Sequence, residues 1–151
     1  MKIDNINKKI LFLLQKDARL TYKEIAAELK RSETTVRDRI KAMERIGIIQ
    51  GYTALIDKTA LGLNFFAMIF ANPNSSFDLD TITEKIKKVK NVLRVYQISG
   101  HHRLAIFMVA ASYKELKEII KSQLIPIGLI EEEIVTVLEA DREFISPLEI
   151  P

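Results

Sequence analysis

The chain has 151 residues, of which 48% are hydrophobic and 28% are charged, a composition typical of one folded domain or two small ones and not of a disordered chain. It contains no cysteine, which excludes disulfides, thiolate nucleophiles and cysteine-ligated zinc. Residues 1–51 carry 12 basic and 7 acidic side chains, whereas residues 52–151 carry 11 and 13. The basic first third predicts a polyanionic partner for that part of the chain.

Targeting and membrane segments are not expected. The first residues lack the apolar stretch of a signal peptide. The longest apolar run, 104–111, is far shorter than the roughly 20 residues of a membrane-spanning helix. The sequence therefore predicts a cytoplasmic protein with no membrane partner.

Two short helices are predicted at the start of the chain. Asp4 is suited to cap the first, whose apolar side chains recur at helical spacing and which ends near Asp17. Thr21 starts the second, and Glu24 three residues later completes a capping box. This second helix is about nine residues long, too short to be stable alone, so it must pack on its neighbours.

A third helix is predicted from Ser32 to Gly47. Val36, Ile40 and Met43 face inward, and at about 100° per residue the polar residues fall on the opposite side or flank it. The residues that we expect to contact DNA are Arg31, Ser32, Thr34, Thr35, Arg37, Asp38, Lys41 and Arg45.

Two short helices joined by a tight turn form the helix-turn-helix plan, whose second helix enters the major groove. Threonine hydroxyls can donate or accept at base edges, and Asp38 can accept from a cytosine amine. Arg31, Lys41 and Arg45 suit phosphates. The pattern alone leaves open that this surface is the solvated face of an unrelated helical bundle.

The rest of the chain alternates between extended and helical segments. An extended segment is read at 48–57. Strands are predicted at 65–71, 92–99, 104–111 and 134–138, and helices at 80–90 and 113–122. Their order, βαββαβ, is the ferredoxin-like plan. We expect an α+β protein with a DNA-binding domain at 1–51, a hinge strand and linker at 52–64, and a second domain at 65–151.

The strands 65–71 and 104–111 are apolar at both alternating positions, whereas a half-exposed antiparallel strand should alternate. Two helices cover one face of such a sheet, so we expect another copy of the same sheet to cover the second face. The sequence thus predicts a homodimer. Its two-fold symmetry suits a near-palindromic double-stranded DNA operator.

The segment from Ile3 to Tyr52 resembles the Lrp/AsnC family of leucine-responsive, or feast/famine, transcriptional regulators, and the resemblance extends over essentially the whole chain. The matching residues are Asp4, Ile10, Leu11, Leu14, Gln15, Asp17, Ala18, Arg19, Ile25, Ala26, Ser32, Val36, Arg39, Ile40, Met43 and Glu44, followed by the run from Gly47 to Tyr52. Lys30 departs from the family, which usually has glycine in this turn. A left-handed lysine there would cost about 1 kcal/mol.

The resemblance implies a winged helix-turn-helix domain, a hinge strand that pairs with its dimer mate, higher oligomers such as octamers, and a ligand-sensing second domain. It implies no cofactor, but an amino-acid-like effector bound between dimers. The effector residues implied are Ser99, Gly100, His101, His102, Arg103 and Thr136. Where the family is usually acidic, this chain has His101 and Arg103, which favours an anionic effector, one held differently, or none.

Other interpretations of the histidine pair and of the whole chain stay open, and the plainest is that the pair are surface histidines in a loop. Adjacent side chains in an extended segment point to opposite sides, so the pair is poorly arranged to chelate a metal and no metal is expected. A histidine can act as a pH switch. Related proteins that decarboxylate tetrapyrroles use histidine and arginine, but this chain keeps the regulator-type run, so we expect no enzyme. A scaffold that has lost DNA binding is disfavoured by the basic N-terminal third.

Overall fold

The computed structural model describes residues 3–139, which fall into two compact units divided between Leu55 and Ile56. The first unit contains helices α1 (Asn5–Lys16), α2 (Tyr22–Leu29) and α3 (Glu33–Arg45). The second contains β1 (Phe65–Pro73), α4 (Leu79–Ile86), β2 (Val92–Gln97), β3 (Leu104–Ala110), α5 (Tyr113–Ile119) and β4 (Leu129–Thr136). This is the predicted βαββαβ order. No helix in the described range is long and apolar enough to cross a membrane.

Each helix of the first unit begins at the predicted side-chain cap. Asp4 accepts from the backbone N–H groups of Ile6 and Asn7, which would otherwise lack partners at the start of α1. Thr21 and Glu24 form the reciprocal capping box of α2. Ser32 caps α3. The six fully or almost fully buried apolar side chains at the centre of the unit are Ile10, Ile25, Ala26, Val36, Ile40 and Met43.

The second unit is built on an antiparallel sheet with strand order β2-β3-β1-β4. One face of β1 carries Ala67, Ile69 and Ala71, which are fully buried in the core that includes α4 and α5. The other face carries Phe66, Met68 and Phe70, which are only half-buried. The helices α4 and α5 therefore cover only one face of the sheet, as predicted.

Several predicted boundaries were wrong. β4 spans Leu129–Thr136 and not residues 134–138, because an edge strand tolerates charged side chains such as those of Glu132 and Glu133. α4 ends at Ile86, four residues early. α5 ends at Ile119 and continues as a π-helical turn and a 3-10 turn up to Ile127.

The predicted extended segment after α3 has no regular secondary structure at residues 51–57. A strand needs a neighbouring strand to pair its backbone N–H and C=O groups. Within the described part of this single chain, the four-stranded sheet contains no residue of this segment. Pairing with a second copy stays a prediction.

Candidate DNA-binding surface and ligand-binding turn

The turn between α2 and α3 is made by a left-handed lysine. Lys30 has φ 51° and ψ 52°, the conformation expected where the family usually has glycine. The backbone N–H of Arg31 donates to the carbonyl of Ala26 at 2.9 Å and closes the turn. This geometry sets the direction in which α3 leaves α2.

The start of α3 is organised by two hydroxyls. The N–H of Thr35 donates to Ser32 Oγ at 3.1 Å, and the two side-chain oxygens lie 2.7 Å apart. Ser32 therefore caps the helix, and Thr35 shares a hydrogen bond with it. Both residues lie at the N-terminal end of α3, where backbone N–H groups favour an anion.

The predicted DNA-contacting residues share one side of the first unit, which we call the α3 surface. Thr35 and Arg37 are half-buried at its flanks. The exposed members are Arg31, Ser32, Thr34, Asp38, Lys41 and Arg45. The structure thus brings all eight residues together on one helix and the turn before it.

Arg39 has a role that the sequence interpretation missed. Its Nη1 donates to Asp4 Oδ2 at 2.7 Å and to Asn7 Oδ1 at 2.9 Å, which links α3 to the start of α1. Asn7 is 2% exposed. The backbone N–H of Asn7 and then the Arg39 guanidinium hold the pKa of Asp4 below its usual value. The available signal was the position of Arg39, about 70° from the centre of the apolar stripe.

A second contact was also missed at the end of α3. The hydroxyl of Tyr52 donates to Glu44 Oε1 at 2.9 Å. Both residues belong to the first unit. Partial burial, and then the Glu44 carboxylate, raise the pKa of Tyr52 to about 12.

The turn before β3 contains most of the predicted effector residues. Asn72 of β1 fixes it from both sides: Oδ1 accepts from the N–H of Arg103 at 2.9 Å, and Nδ2 donates to the carbonyl of His101 at 3.2 Å. Ser99, Gly100, His101 and Arg103 are exposed there. The turn therefore presents imidazole and guanidinium groups on a fixed backbone.

His102 is turned inward. Its side chain is 14% exposed, its Nε2 lies 3.3 Å from Glu133 Oε2, and its ring lies 6.2 Å from that of Phe70. Its Nδ1 is buried without a hydrogen-bond partner among the described residues. The rings of His101 and His102 are nearly perpendicular, with centroids 4.8 Å apart.

Thr136 lies apart from this turn within one chain. It pairs with Ala67, whereas the turn is bound to Ala71 through the N–H of Arg103. Four residues of strand separate the two points by about 13 Å. Because directly opposed residues share a face of the sheet, Thr136 is on the helix-covered side. The β4 side chain that contacts the turn is Glu133, through His102.

Two other features bear on what chemistry the chain can support. The residues from 3 to 139 contain no group of three or more acidic or histidine side chains arranged to hold a metal ion. An open groove of about 680 Å³ runs beside α5, and it is lined by both charges and isoleucines. Its lining residues are Tyr113, Lys114, Lys117, Glu118, Ile120, Lys121, Ile125, Glu132 and Ile134.

Family models match both units. Residues 3–50 match the model described as winged helix-turn-helix DNA-binding, and residues 64–139 match the Lrp/AsnC ligand binding domain. The chain belongs to the Lrp/AsnC family. It is a DNA-binding transcriptional regulator that carries the Lrp/AsnC ligand-binding domain.

Its relatives in the Lrp/AsnC family include the HTH-type transcriptional regulator LrpA of Pyrococcus horikoshii. That protein is 37% identical over 124 residues, which are 81% of this chain and 86% of the relative. The regulatory protein AsnC of Haemophilus influenzae is 29% identical over 122 residues, 81% of each chain. The names of these relatives describe regulators and no enzyme.

Solved Lrp/AsnC structures share the fold. Escherichia coli AsnC superposes with a TM-score of 0.87 at 24% identity, covering 98% of this chain and 100% of its own. A transcriptional regulator of Neisseria meningitidis in complex with L-Met has a TM-score of 0.86 at 22% identity, covering 99% and 97%. Both comparisons confirm the predicted α+β architecture.

Proposed function

We propose that the α3 surface enters the major groove of duplex DNA and reads base edges with Thr34, Arg37 and Asp38. The observation that carries this proposal is the exposure of the polar side of α3 while Val36 and Ile40 on its other side are buried. Hydroxyl and guanidinium groups match the donors and acceptors of base edges, and a carboxylate accepts from a cytosine amine.

The remaining members of the α3 surface are assigned to the DNA backbone. Arg31, Lys41 and Arg45 are exposed cations that suit phosphates. Ser32 and Thr35 lie at the N-terminus of the helix, where N–H groups and hydroxyls favour a phosphate oxygen. Each cation that contacts a phosphate releases counterions and steepens the salt dependence of binding.

The test uses a duplex selected by the wild-type protein from a random pool. Replacing Arg37 and Lys41 together by alanine should weaken binding and make the slope of log affinity against log salt shallower by about one for each phosphate that is no longer neutralised. The matched control, Lys88→Ala with Lys90→Ala, removes two cations from the second unit and should change neither quantity. Unchanged affinity and slope in the α3 variant would refute the assignment.

A second part of the proposal is the assembly. We propose that the open face of the sheet packs against the same face of another copy to form a homodimer. Phe66, Met68 and Phe70 on β1 lie beside Phe107 and Val109 of β3 on this face. The rings of Phe66 and Phe107 have centroids 6.2 Å apart, so the surface is contiguous and apolar.

The dimer would place two α3 helices on a near-palindromic operator, with half-sites about 34 Å apart or a multiple of that distance. Higher oligomers such as an octamer of four dimers belong to the same proposal. Sedimentation of Phe107→Arg should reveal monomers, whereas Ile125→Arg, on the helix-covered side, should leave the assembly intact. A wild-type protein that is monomeric at micromolar concentration would rule the proposal out.

We further propose that the turn at residues 99–103 contributes to the site of an amino-acid-like effector. The L-Met complex of the Neisseria relative supports this class of ligand. His101 and Arg103 favour a carboxylate or another anionic group on the ligand. The effector would act as a small-molecule partner and not as a cofactor.

Thermal unfolding against each of the twenty amino acids, at millimolar concentration, tests this. A ligand at one hundred times its dissociation constant stabilises the native state by about 2.7 kcal/mol and raises the unfolding midpoint. A hit whose effect is lost in Arg103→Ala identifies the effector and the turn. No hit would contradict a standard amino acid as the effector.

We propose a cytoplasmic location for this protein, beside the DNA. We propose no catalytic activity for it. The alternative function, decarboxylation of a tetrapyrrole, would use His101, His102 and Arg103. Adding the protein to a tetrapyrrole should leave the Soret band of the free pigment unshifted. A shifted Soret band would favour the enzyme.

A further inference from the structure

We propose that Arg39 is a positioning residue for DNA binding: it holds α3 on the start of α1 through Asp4 and Asn7 and does not neutralise a phosphate. This inference rests on the proposed function of the α3 surface. It distinguishes Arg39 from Arg37, the nearby arginine of α3 that we expect to contact DNA. Arg37 would touch DNA, and Arg39 would decide where the helix lies.

The geometry of the guanidinium supports this role. Nη1 of Arg39 donates at 2.7 Å to a carboxylate and at 2.9 Å to an amide oxygen, both at the start of α1 and both more than thirty residues away in the chain. The Arg39 side chain is 28% exposed, and Asn7 is buried. Lys41 instead lies about 130° from the centre of the apolar stripe and is exposed.

Asp4 does two things with its two oxygens. Oδ1 accepts from the N–H groups of Ile6 and Asn7 and caps α1, while Oδ2 receives Arg39. Asparagine is as good a helix cap as aspartate. Asp4→Asn can therefore keep the cap and remove the charge that holds Arg39.

This substitution separates positioning from simple electrostatics by the sign of its effect. Removing an acidic group makes the protein more positive, which on charge alone would strengthen binding to DNA. If Arg39 positions α3, the same change should weaken binding by about tenfold, because it removes a charge-assisted hydrogen bond that fixes the helix. Arg39→Gln should weaken binding by a similar factor without changing the salt slope.

The experiment measures affinity for the selected duplex over a range of salt concentrations. The expected result is that Asp4→Asn weakens binding and that Arg39→Gln weakens it at least as much, because it also removes the hydrogen bond to Asn7. The double variant should bind no more weakly than Arg39→Gln, since Asp4 acts through Arg39. Arg39→Lys, which keeps a cationic donor, should recover most of the affinity. Asp17→Asn is the matched control, because it breaks an exposed aspartate–arginine pair that does not involve α3.

Three outcomes would count against the inference, and a fourth would count against the proposed function instead. Unchanged or stronger binding by Asp4→Asn would overturn the inference, as would a salt slope for Arg39→Gln that falls by about one. Ile25→Val loosens the same helical core without touching the contact, so an equal loss of affinity in that variant would also overturn it. If Lys41→Gln alters neither affinity nor slope, the proposed function fails instead.

Discussion

The hydroxyl of Tyr52 is bound to the carboxylate of Glu44 at 2.9 Å, which ties the chain after α3 back to the last turn of that helix. The contact joins α3 to the segment that follows it in the first unit. The pKa of the Tyr52 phenol is raised because its anion would be partly buried and would lie beside a carboxylate.

Alkaline titration should reveal this contact. Tyr52 should ionise with a pKa of about 12, and Glu44→Gln should lower the pKa of this tyrosine. Because the folded pKa is above the unfolded value near 10, the unfolding free energy should fall as the pH rises between these values. The ultraviolet absorbance of phenolate measures the ionisation of tyrosine as the pH is raised. A late phenol that persists in Tyr52→Phe would assign the shift to another residue.

Lys30 is expected to carry a removable backbone cost. Lys30→Gly should raise the unfolding free energy by up to about 1 kcal/mol, because glycine adopts the left-handed conformation without strain. Ala27→Gly, three residues earlier and exposed on α2, should instead lower it by about 1 kcal/mol. Urea unfolding of both variants checks the opposite signs, and equal destabilisation would contradict the role given to Lys30.

Acid should weaken the caps of the first unit. Asp4 and Glu24 both have a folded pKa below the usual value, chiefly through the backbone N–H groups from which they accept hydrogen bonds. Their contribution to stability is present above the unfolded pKa near 4 and is lost as the pH falls through the folded pKa. Urea midpoints should therefore fall steeply below about pH 4. Asp4→Asn should make the fall of the urea midpoint with decreasing pH less steep. If the variant and the wild type lose stability in parallel, the contribution assigned to Asp4 is wrong.

Gly128 should tolerate no side chain. It has φ +107°, and a Cβ there would lie 2.6 Å from Cδ2 of Phe77. Gly128→Ala should destabilise the second unit by about 2 kcal/mol or more, through strain and overpacking together. Gly62→Ala, at φ +75° with open space around it, should show only the conformational cost of about 1 kcal/mol. Calorimetric unfolding midpoints of the two variants test this, and an equal loss of stability in both would exclude a clash between residue 128 and Phe77.

The first unit could be predicted almost completely because its determinants are local. Asp4, Thr21 and Ser32 cap their helices through groups two or three residues away, and such signals are visible in the sequence. The role of Arg39 could not be predicted in this way. Its partner Asp4 lies 35 residues earlier, so the contact depends on how two helices pack.

For the second unit, the order of the elements along the chain could be predicted from the alternation of extended and helical segments. The position of Thr136 could not, because it depends on the register of β4 and on a bulge between Phe70 and Asn72. One residue of slip changes which face a side chain occupies. The residues that would form the effector site are therefore harder to assign than those of α3.

The central place of β1 in the sheet has a consequence for the order in which the chain folds. β1 pairs with β3, which starts 31 residues after β1 ends, and with β4, which starts later still. Closing such long loops is slow, whereas three neighbouring helices form from short-range contacts. During synthesis, the DNA-binding unit should therefore be folded before β4 has left the ribosome. Until β4 emerges, the apolar strand β1 remains unpaired on that side and accessible to other nascent copies.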